Sequence, residues 1–224
     1  MNKYVEVMAI VEGRTEQTFI QRVLAPYLQK KHIFISATQI SKSGDKGGAV
    51  KFSRVQRDIG NFLKQREDIY VTVVVDYYGL KEWPNLDNVA KKSHSDIARL
   101  LNESAAQHVK QAFSQIQVDN RFIPYMTMHE FEALLFSDIQ ILADALEVEV
   151  KQVEAIIKEC GEPEKINNSP ETAPSKRLDQ LKKHGKFRKT SEGIDIAEKI
   201  GIDTIRQSCP LFNDWLNQLE SKIR

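Results

Sequence analysis

Cysteine is scarce in this chain of 224 residues, which contains only two, Cys160 and Cys209. They are widely spaced and do not form the closely spaced pairs that bind zinc. A disulfide framework is excluded as well, because small secreted proteins that depend on one need several cysteines. The chain must therefore rely on a hydrophobic core, and it is long enough to bury a sizeable one.

Long hydrophobic runs are also lacking. No apolar stretch approaches the roughly 20 residues of a membrane helix, and the first residues, MNKYVEV, lack the basic start and apolar core of a secretory signal. The net charge is only +1, so any surface for nucleic acid must be a local patch. These features predict a cytoplasmic protein with no membrane partner.

Glycine motifs for nucleotide binding are missing too. The glycine-rich segment SGDKGG at 43–48 does not have the GxxxxGK[ST] spacing of a phosphate-binding P-loop. A GxGxxG motif is also absent from the sequence. The sequence therefore gives no support to a dinucleotide cofactor.

Strand and helix signals alternate through the first half of the chain, which predicts a parallel sheet covered by helices. The predicted strands lie at residues 4–11, 34–40, 70–75 and 121–126. The predicted helices between them lie at residues 15–30, 50–65 and 93–115. The third strand is the most apolar and is expected near the centre of the sheet. Pro124 confines the fourth strand to an edge or to one unpaired position.

Strand signals stop after the fourth strand. Further helices are predicted at residues 131–136, 139–146, 150–160, 175–184, 194–200 and 212–223. We therefore expect an α/β fold, with a mainly parallel four-stranded sheet in residues 1–136 and a helical C-terminal portion, residues 137–224, packed on it. The polar link at 161–174 holds three prolines and is the best candidate boundary.

Two carboxylates stand at the ends of apolar strands. Glu12 closes the first predicted strand and Asp76 closes the third. In an open parallel sheet, ligands bind where the carboxyl ends of neighbouring strands meet a change of strand order, so the two acids are expected to share that edge. Each acid also has a structural alternative, a solvated turn residue for Glu12 and a turn-initiating aspartate for Asp76.

A third acidic feature follows the fourth strand, in HEFEALLF at residues 129–136. Its apolar residues are predicted to bury one side of a short helix. Because helical residues two apart do not share a face, at most one of Glu130 and Glu132 is expected to point toward the first two acids, and Glu130 is favoured. His129 could act as a ligand, as a proton-transfer group or as a hydrogen-bond donor at the helix start.

Acids delivered to one sheet edge suit a hard cation. Mg²⁺ and Mn²⁺ prefer oxygen ligands and complete their shell with water and substrate phosphate. The candidate metal ligands are Glu12, Asp76, Glu130 and Glu132. Zinc is disfavoured because cysteines and clustered histidines are missing.

Positive groups would be needed to hold the phosphates of a substrate. The candidates are Lys46, Lys51, Lys176 and Arg177. A denser basic cluster at residues 182–189 either follows a nucleic-acid backbone or forms a solvated helix face. The sequence alone leaves both alternatives open.

Several segments together resemble the bacterial family called domain of unknown function 4276, whose fold is regarded as TOPRIM-like. The matching segments are VEGRTE at 11–16, DYYGL at 76–80, PYMTMHEFEALLF at 124–136, PEKIN at 163–167 and ETAPSKR at 171–177. They extend over nearly the whole chain, and the HEFEALLF string is highly specific.

The resemblance implies a TOPRIM/Rossmann-like sheet with a Mg²⁺ site for phosphoryl transfer. TOPRIM domains of topoisomerases, primases and related nucleases place a glutamate after the first strand and an Asp-x-Asp motif after the third. Glu12 and Asp76 match these positions, whereas Tyr78 replaces the second aspartate. Glu130 would supply the missing ligand, as an acid after the next strand does in the nuclease branch.

Two functional hypotheses follow. The first is a Mg²⁺-dependent phosphodiesterase, a nuclease in which Tyr78 or His129 orients water or phosphate and Lys176 and Arg177 hold the backbone of DNA or RNA. The second is a non-catalytic subunit with a degenerate TOPRIM site, suggested by Tyr78; nucleotide binding without nucleic acid is a third alternative. The resemblance also implies an ATPase partner in a bacterial defence-type system.

Overall fold

A four-stranded parallel sheet forms the centre of the protein, in a computed structural model that describes residues 4–41, 50–78, 80–118, 120–166 and 171–223. The strands are β1 (Val5–Val11), β2 (Ile33–Gln39), β3 (Ile69–Asp76) and β4 (Phe122–Thr127). Their order is β2-β1-β3-β4, and every neighbouring pair is parallel. The predicted α/β fold with a parallel sheet is therefore confirmed.

Helices connect the strands across both faces of the sheet. Between β1 and β2 lie α1 (Arg14–Phe19), a π-helical turn (Ile20–Leu24) and α2 (Ala25–Gln29). The π-helical turn precedes Pro26, which has no N–H to donate to the turn before it. On the opposite face, α3 (Phe52–Gln65) joins β2 to β3 and α4 (His94–Ala112) joins β3 to β4.

The chain after β4 is helical, as the sequence predicts. A 3₁₀ helix (Phe131–Ser137) is followed by α5 (Ile139–Leu146), α6 (Val150–Cys160), α7 (Pro174–Leu181), α8 (Ile194–Ile200), α9 (Ile202–Ser208) and α10 (Pro210–Glu220). The sequence analysis did not identify α9, which Gly201, with a φ of 79°, separates from α8. In the described part of the chain, no helix is both long enough and apolar enough to cross a membrane.

Each face of the sheet has its own hydrophobic core. Buried residues of α3 and α4 form the core on one face together with the β1 and β3 side chains that point there, including Ile10, Val55, Ile59, Val73 and Leu101. The core on the other face contains residues of α1, α8 and α10, including Val7, Phe19, Ile196, Phe212 and Trp215. Helices from both sides of residue 136 therefore share the second core.

Trp215 of α10 joins the C-terminal helices to the sheet. Its ring stacks on Tyr125 of β4 with the ring centroids 4.7 Å apart. Its Nε1 donates a hydrogen bond to Oγ1 of Thr72 in β3 at 2.9 Å. Both contacts are buried, so the sheet supplies a partner for the only polar atom of the indole.

The strand order creates a switch point between β1 and β3. From β1 the chain runs out to β2 on one side, and it then returns to β3 on the other side of β1. The pairing of Val11 with Val74 brings Glu12 and Asp76 to the same edge of the sheet. Asp76 pairs in turn with Thr127, so the segment after β4 starts at that edge too. Ligands of open α/β sheets bind at such an edge.

β4 is an edge strand, as Pro124 predicts. The N–H of Val71 donates to the carbonyl of Arg121, and the N–H of Tyr77 donates to the carbonyl of Thr127. Odd-numbered residues of β4 therefore direct their backbone groups toward β3. Pro124 lies at an even position, so its nitrogen faces the open side, where the ladder needs no donor.

Candidate metal centre

The first two predicted acids are neighbours at the switch point. Glu12 follows β1 directly, and Asp76 is the last residue of β3. Glu12 is exposed as a whole residue, but partial burial of its carboxylate is the largest cause that raises its pKa. The carboxylate of Glu16 raises this pKa further, and the backbone N–H of Asp76 and the ammonium of Lys189 lower it. The pairing of Val11 with Val74 places the two residues close together at the ends of neighbouring strands.

Asp76 lies at the centre of a group of acids. Its pKa is raised well above the ordinary value, first by burial and then by the carboxylates of Glu16, Glu12, Glu132 and Glu130. Its Oδ1 is buried and has no hydrogen-bond partner among the described residues. A buried, unpartnered carboxylate oxygen is costly unless a cation or a donor satisfies it. We call Glu12, Glu16, Asp76, Glu130 and Glu132 the acid cluster.

Glu130 and Glu132 both join the acid cluster, which corrects the prediction that at most one of them faces it. That prediction placed both acids in a helix, whereas Glu130 has an extended backbone (φ −139°, ψ 155°) and the 3₁₀ helix starts after it. Both carboxylates reach the Nζ of Lys189, Glu132 through Oε1 at 2.8 Å and Glu130 through Oε1 at 3.5 Å. The side chain of Glu132 is only 2% exposed. The pKa of Glu132 is raised, and burial is the largest cause of the increase.

The predicted motif at 171–177 contacts the acid cluster through its backbone. The N–H of Ser175, in the first turn of α7, donates to Oε2 of Glu130 at 2.9 Å. An N–H group in the first turn of a helix has no acceptor within the helix and readily binds a carboxylate. The first turn of α7 thereby holds the Glu130 side chain in place.

Sequence reasoning missed two residues of this site. Glu16 lies in the first turn of α1, and its Oε2 accepts the N–H of Gly13 at 3.0 Å. Its carboxylate nevertheless raises the pKa of Asp76 more than the other neighbouring carboxylates do. Its position four residues after Glu12, in the first turn of the helix that leaves the switch point, was an available signal.

Lys189 is the second missed residue. The sequence places it at the end of a basic cluster, but the structure places its ammonium among the acids, where it is ion-paired with Glu130 and Glu132. Burial lowers the pKa of Lys189 and the carboxylates of Glu132, Glu130 and Asp76 raise it, with a net increase. No local pattern links Lys189 to acids so far away in the chain.

His129 lies beside the acid cluster and is 2% exposed. Its ring packs edge-on against His94, the first residue of α4, with the ring centroids 5.0 Å apart. Burial and the neighbouring His94 lower the pKa of His129 to about 4, so the ring is neutral at physiological pH. Neither ring nitrogen has a hydrogen-bond partner among the residues that the structure describes.

The other predicted residues lie apart from the ion pairs of the acid cluster. Tyr78 is exposed at the sheet edge, Lys51 is exposed at the start of α3, and Lys176 is exposed on α7. Arg177 is buried, and its guanidinium donates to the carbonyl of Thr172 at 3.1 Å and to the carboxylate of Glu159 at 2.9 and 3.2 Å. Arg177 therefore holds α6 and α7 together. Lys46 lies outside the described residues.

The basic cluster at 182–189 is divided among several partners. The Nζ of Lys182 lies 2.6 Å from the carboxylate of Glu192, and Arg188 pairs with the same carboxylate at 3.1 Å. Only the far end of the cluster, Lys189, reaches the acids. These contacts favour a local structural role for Lys182 and Arg188 over a continuous track for nucleic acid.

The donor set fits a hard divalent cation in its chemistry, although the side chains are not yet arranged around one. In the described ranges, no three His, Cys, Asp or Glu side chains are grouped so that they could hold a metal ion. The carboxylates point instead to Gly13, Ser175 and Lys189. The unpartnered Oδ1 of Asp76 remains available, so Glu12, Asp76 and Glu132 are the acids that would hold Mg²⁺ or Mn²⁺ after side-chain rotation.

Comparison with known proteins identifies a family that includes the segments of this site. A family model described as Domain of unknown function (DUF4276) matches residues 11–220. The match includes the whole acid cluster and Lys189. No curated protein and no solved structure matches the chain.

Proposed function

The chain belongs to the family described as domain of unknown function 4276, and we propose that it is a Mg²⁺-dependent phosphodiesterase of TOPRIM-like type, acting as a nuclease. The observation that supports this proposal most strongly is the environment of Asp76. Its buried, unpartnered Oδ1 lies at the switch point of the sheet with four more carboxylates around it. A strongly perturbed acid at a ligand-binding edge is a candidate functional group.

The electrostatics of the acid cluster favour a bound cation. Burial and mutual repulsion raise the pKa values of Glu12, Asp76 and Glu132, so the carboxylates are hard to ionise together. A divalent cation would relieve this repulsion, because it adds two positive charges where one ammonium now acts on four of the acids. Such an arrangement is unfavourable for stability alone and is therefore typical of a functional site.

Individual roles follow from the positions of the side chains. Glu12, Asp76 and Glu132 would hold the cation, which polarises a phosphodiester and lowers the pKa of a water molecule when it is bound. Glu130 accepts a hydrogen bond from the backbone N–H of Ser175, so its carboxylate would stay fixed beside the other acids and help to position them. His129 is neutral, and neither of its ring nitrogens has a partner among the described residues. One nitrogen would donate a hydrogen bond to a water molecule or phosphate, and the other would accept one from water.

Positive groups around the same edge would hold the substrate backbone. Lys51 and Lys176 are exposed and free to contact phosphates, whereas Arg177 is already occupied by Glu159. We therefore transfer the predicted clamp from Arg177 to Lys51 and Lys176. DNA and RNA remain equivalent substrates in this proposal, and an ATPase partner in a bacterial defence-type system is part of it through the resemblance alone.

Cleavage assays test the proposal directly. Labelled single-stranded and double-stranded DNA and RNA are incubated with the protein and Mg²⁺ or Mn²⁺, with and without a chelator. We expect Glu12→Gln to reduce metal-dependent cleavage at least about 100-fold, because one carboxylate ligand is lost. Circular dichroism should show an unchanged fold, because Glu12 makes no core contact.

A matched control separates the site from a general loss of charge. Glu103→Gln removes a carboxylate from the exposed face of α4, where the side chain is 61% exposed, and should leave cleavage unchanged. Equal cleavage by the wild type and Glu12→Gln would contradict the assignment of the site. Cleavage that continues in the presence of the chelator would contradict the role of the metal.

A non-catalytic subunit is the second candidate function. Two observations favour it: Tyr78 is exposed in the place of a second aspartate, and no ready-made metal group exists among the described side chains. Calorimetric titration with Mn²⁺ distinguishes the two functions. A subunit without a metal site should give no binding heat that depends on Asp76.

A further inference from the structure

Lys189 occupies the position in the acid cluster that a cation would take. Its Nζ lies 2.8 Å from Oε1 of Glu132 and 3.5 Å from Oε1 of Glu130. Its charge also acts on Asp76 and Glu12, so one ammonium interacts electrostatically with acids that follow or end β1, β3 and β4. We propose that Lys189 is an internal counter-cation that keeps the acid cluster together in the metal-free protein and is displaced when a divalent cation binds.

This inference deepens the proposed function and rests on it. It assigns to Lys189 a role in regulating metal binding. Lysine is suited to such a role because its ammonium is a compact charge on a flexible stem. A metal ligand would have to be an oxygen, nitrogen or sulfur atom with a free electron pair, which a protonated lysine lacks.

The exposure of the ion pair shows that Lys189 can leave. The side chain of Lys189 is 45% exposed, whereas that of Glu132 is 2% exposed. The acid is therefore fixed in the protein interior and the lysine reaches it from the surface. The ammonium can rotate into water without disrupting the core, while the carboxylate cannot.

The backbone around Lys189 is held by other contacts. Oγ1 of Thr190 lies 3.0 Å from Oγ1 of Thr15. The N–H of Arg188 donates to Oε2 of Glu192 at 3.0 Å, and the N–H of Gly193 donates to the carbonyl of Arg188 at 3.2 Å. Displacement of the Lys189 side chain therefore leaves the segment 188–193 anchored.

Charge opposes the presence of both cations at once. An ammonium and a divalent cation that contact the same two carboxylates repel each other strongly at low effective dielectric. Nζ lies 2.8 Å from Oε1 of Glu132, so a metal ion can approach that oxygen from the same side only after Nζ has moved away. Binding of the ion and release of the lysine are therefore two parts of one exchange.

Calorimetric titration of the full chain with Mn²⁺ tests the exchange. Lys189→Met keeps the length of the side chain and removes the charge, so we expect Mn²⁺ to bind roughly tenfold or more tightly than to the wild type. Arg188→Met is the matched control, because it removes a neighbouring positive charge that pairs with Glu192 and not with the acid cluster. Its Mn²⁺ affinity should equal that of the wild type.

The outcomes separate this inference from the proposed function. Wild-type binding with an equal or weaker affinity for Lys189→Met would overturn the role of Lys189 and leave the metal site intact. Absence of Mn²⁺ binding in both proteins would overturn the proposed function and this inference together. Binding by Lys189→Met and not by the wild type would support the exchange in its strongest form.

A labelling experiment on the wild type does not depend on the folding of any variant. Amine-reactive labelling followed by peptide mass spectrometry measures the accessibility of each lysine with and without Mn²⁺. Labelling of Lys189 should rise several-fold when Mn²⁺ is bound, while that of Lys182, which is paired with Glu192 at 2.6 Å, should stay constant. Unchanged labelling of Lys189 under conditions in which calorimetry shows bound Mn²⁺ would refute the displacement.

Discussion

The environment of Asp76 leads us to expect that the acid cluster lowers the stability of the metal-free protein. Burial and four neighbouring carboxylates raise its pKa, so the folded state favours the protonated form. The stability that this carboxyl contributes is therefore present below its unfolded pKa and is lost as the pH rises through its folded pKa. Replacement by a neutral isostere should relieve that loss.

We expect Asp76→Asn to unfold at a higher urea concentration than the wild type at pH 8 in the presence of a chelator. The gain should be about 1–2 kcal/mol, since one buried charge is removed from a group of like charges. It should shrink as the pH falls, because the wild-type carboxyl then becomes neutral. Addition of Mn²⁺ should raise the melting temperature of the wild type and not that of the variant.

Asp87→Asn is the control for this prediction, because Asp87 is exposed in a surface turn. Its stability should follow that of the wild type at every pH. A lower stability of Asp76→Asn at pH 8 would show that the Asp76 carboxylate is well satisfied in the folded protein. That result would contradict its place in a repulsive cluster.

The residues of the site differ in how far the sequence predicts them. Glu12 and Asp76 were predictable because each directly follows an apolar strand, and parallel strands bring their ends to one edge. Lys189 was not, because only the packing of the C-terminal helices brings it to Glu132. The ion pair of Arg177 was unpredictable for a similar reason, since its partner Glu159 lies in another helix.

At the scale of one element, the start of α10 depends on a buried carboxylate. Oε2 of Glu164 accepts the N–H of Leu211 at 2.8 Å, and Oε1 accepts the N–H of Phe212 at 3.0 Å. These N–H groups have no acceptor within the helix, so Glu164 satisfies them from the 3₁₀ turn at Pro163–Lys165. Burial nevertheless raises the pKa of Glu164 to about 7, from an ordinary 4.5.

The stability of the protein should therefore depend on pH through Glu164. Because the folded pKa is the higher one, stability is lost as the pH rises from about 4.5 to about 7 and is level above that range. The difference in unfolding free energy between the wild type and Glu164→Gln should fall across this range by at most about 3 kcal/mol. Urea unfolding of both proteins at several pH values measures it.

Other titrating groups cancel in this comparison. Asp76 and Glu132, whose pKa values are raised, and His129, whose pKa is lowered, are present in both proteins. A difference that stays constant between pH 4.5 and 7.5 would show that Glu164 is ionised throughout. The two backbone N–H groups would then outweigh the effect of burial.

Prediction at the scale of elements failed where a short segment departs from regular α-helical geometry. The segment at 131–136 has helical spacing, but it forms a 3₁₀ helix that begins after Glu130, and this shift brings both glutamates to the site. The short helix α9 follows a glycine and has only seven residues. Hydrophobic periodicity is weak over so few positions.

For the whole molecule, the central question is whether the C-terminal helices and the sheet unfold together. Each hydrophobic core contains one tryptophan: Trp83 packs with α3 and α4, and Trp215 packs with α1, α8 and α10. The sheet is common to both cores. A chain with a shared sheet should behave as one cooperative unit.

We expect single-tryptophan variants to show a single unfolding transition. In Trp215→Phe the fluorescence of Trp83 reports one core, and in Trp83→Phe the fluorescence of Trp215 reports the other. In each variant the fluorescence midpoint in urea should coincide with the midpoint from far-ultraviolet circular dichroism. Trp215→Phe should be less stable than the wild type by about 1–2 kcal/mol, because Thr72 loses the buried hydrogen bond that it accepts from Trp215.

Separate midpoints for fluorescence and circular dichroism would contradict this expectation. They would divide the chain into two folding units near residue 136, in spite of the stacking of Trp215 on Tyr125. Coincident midpoints would show that the sheet transmits stability between its two faces. The comparison within each variant removes the effect of the substitution on overall stability.

The position of Pro124 limits how this protein can associate with others. A strand from another molecule that docked alongside β4 would need donors from alternate residues, and at the middle of that row stands a ring nitrogen that carries no hydrogen. This edge of the sheet is thereby protected against growth into an extended intermolecular sheet, the route by which many exposed strands aggregate. Any complex that pairs strands between molecules should accordingly form at the opposite edge, where β2 (Ile33–Gln39) contains no proline.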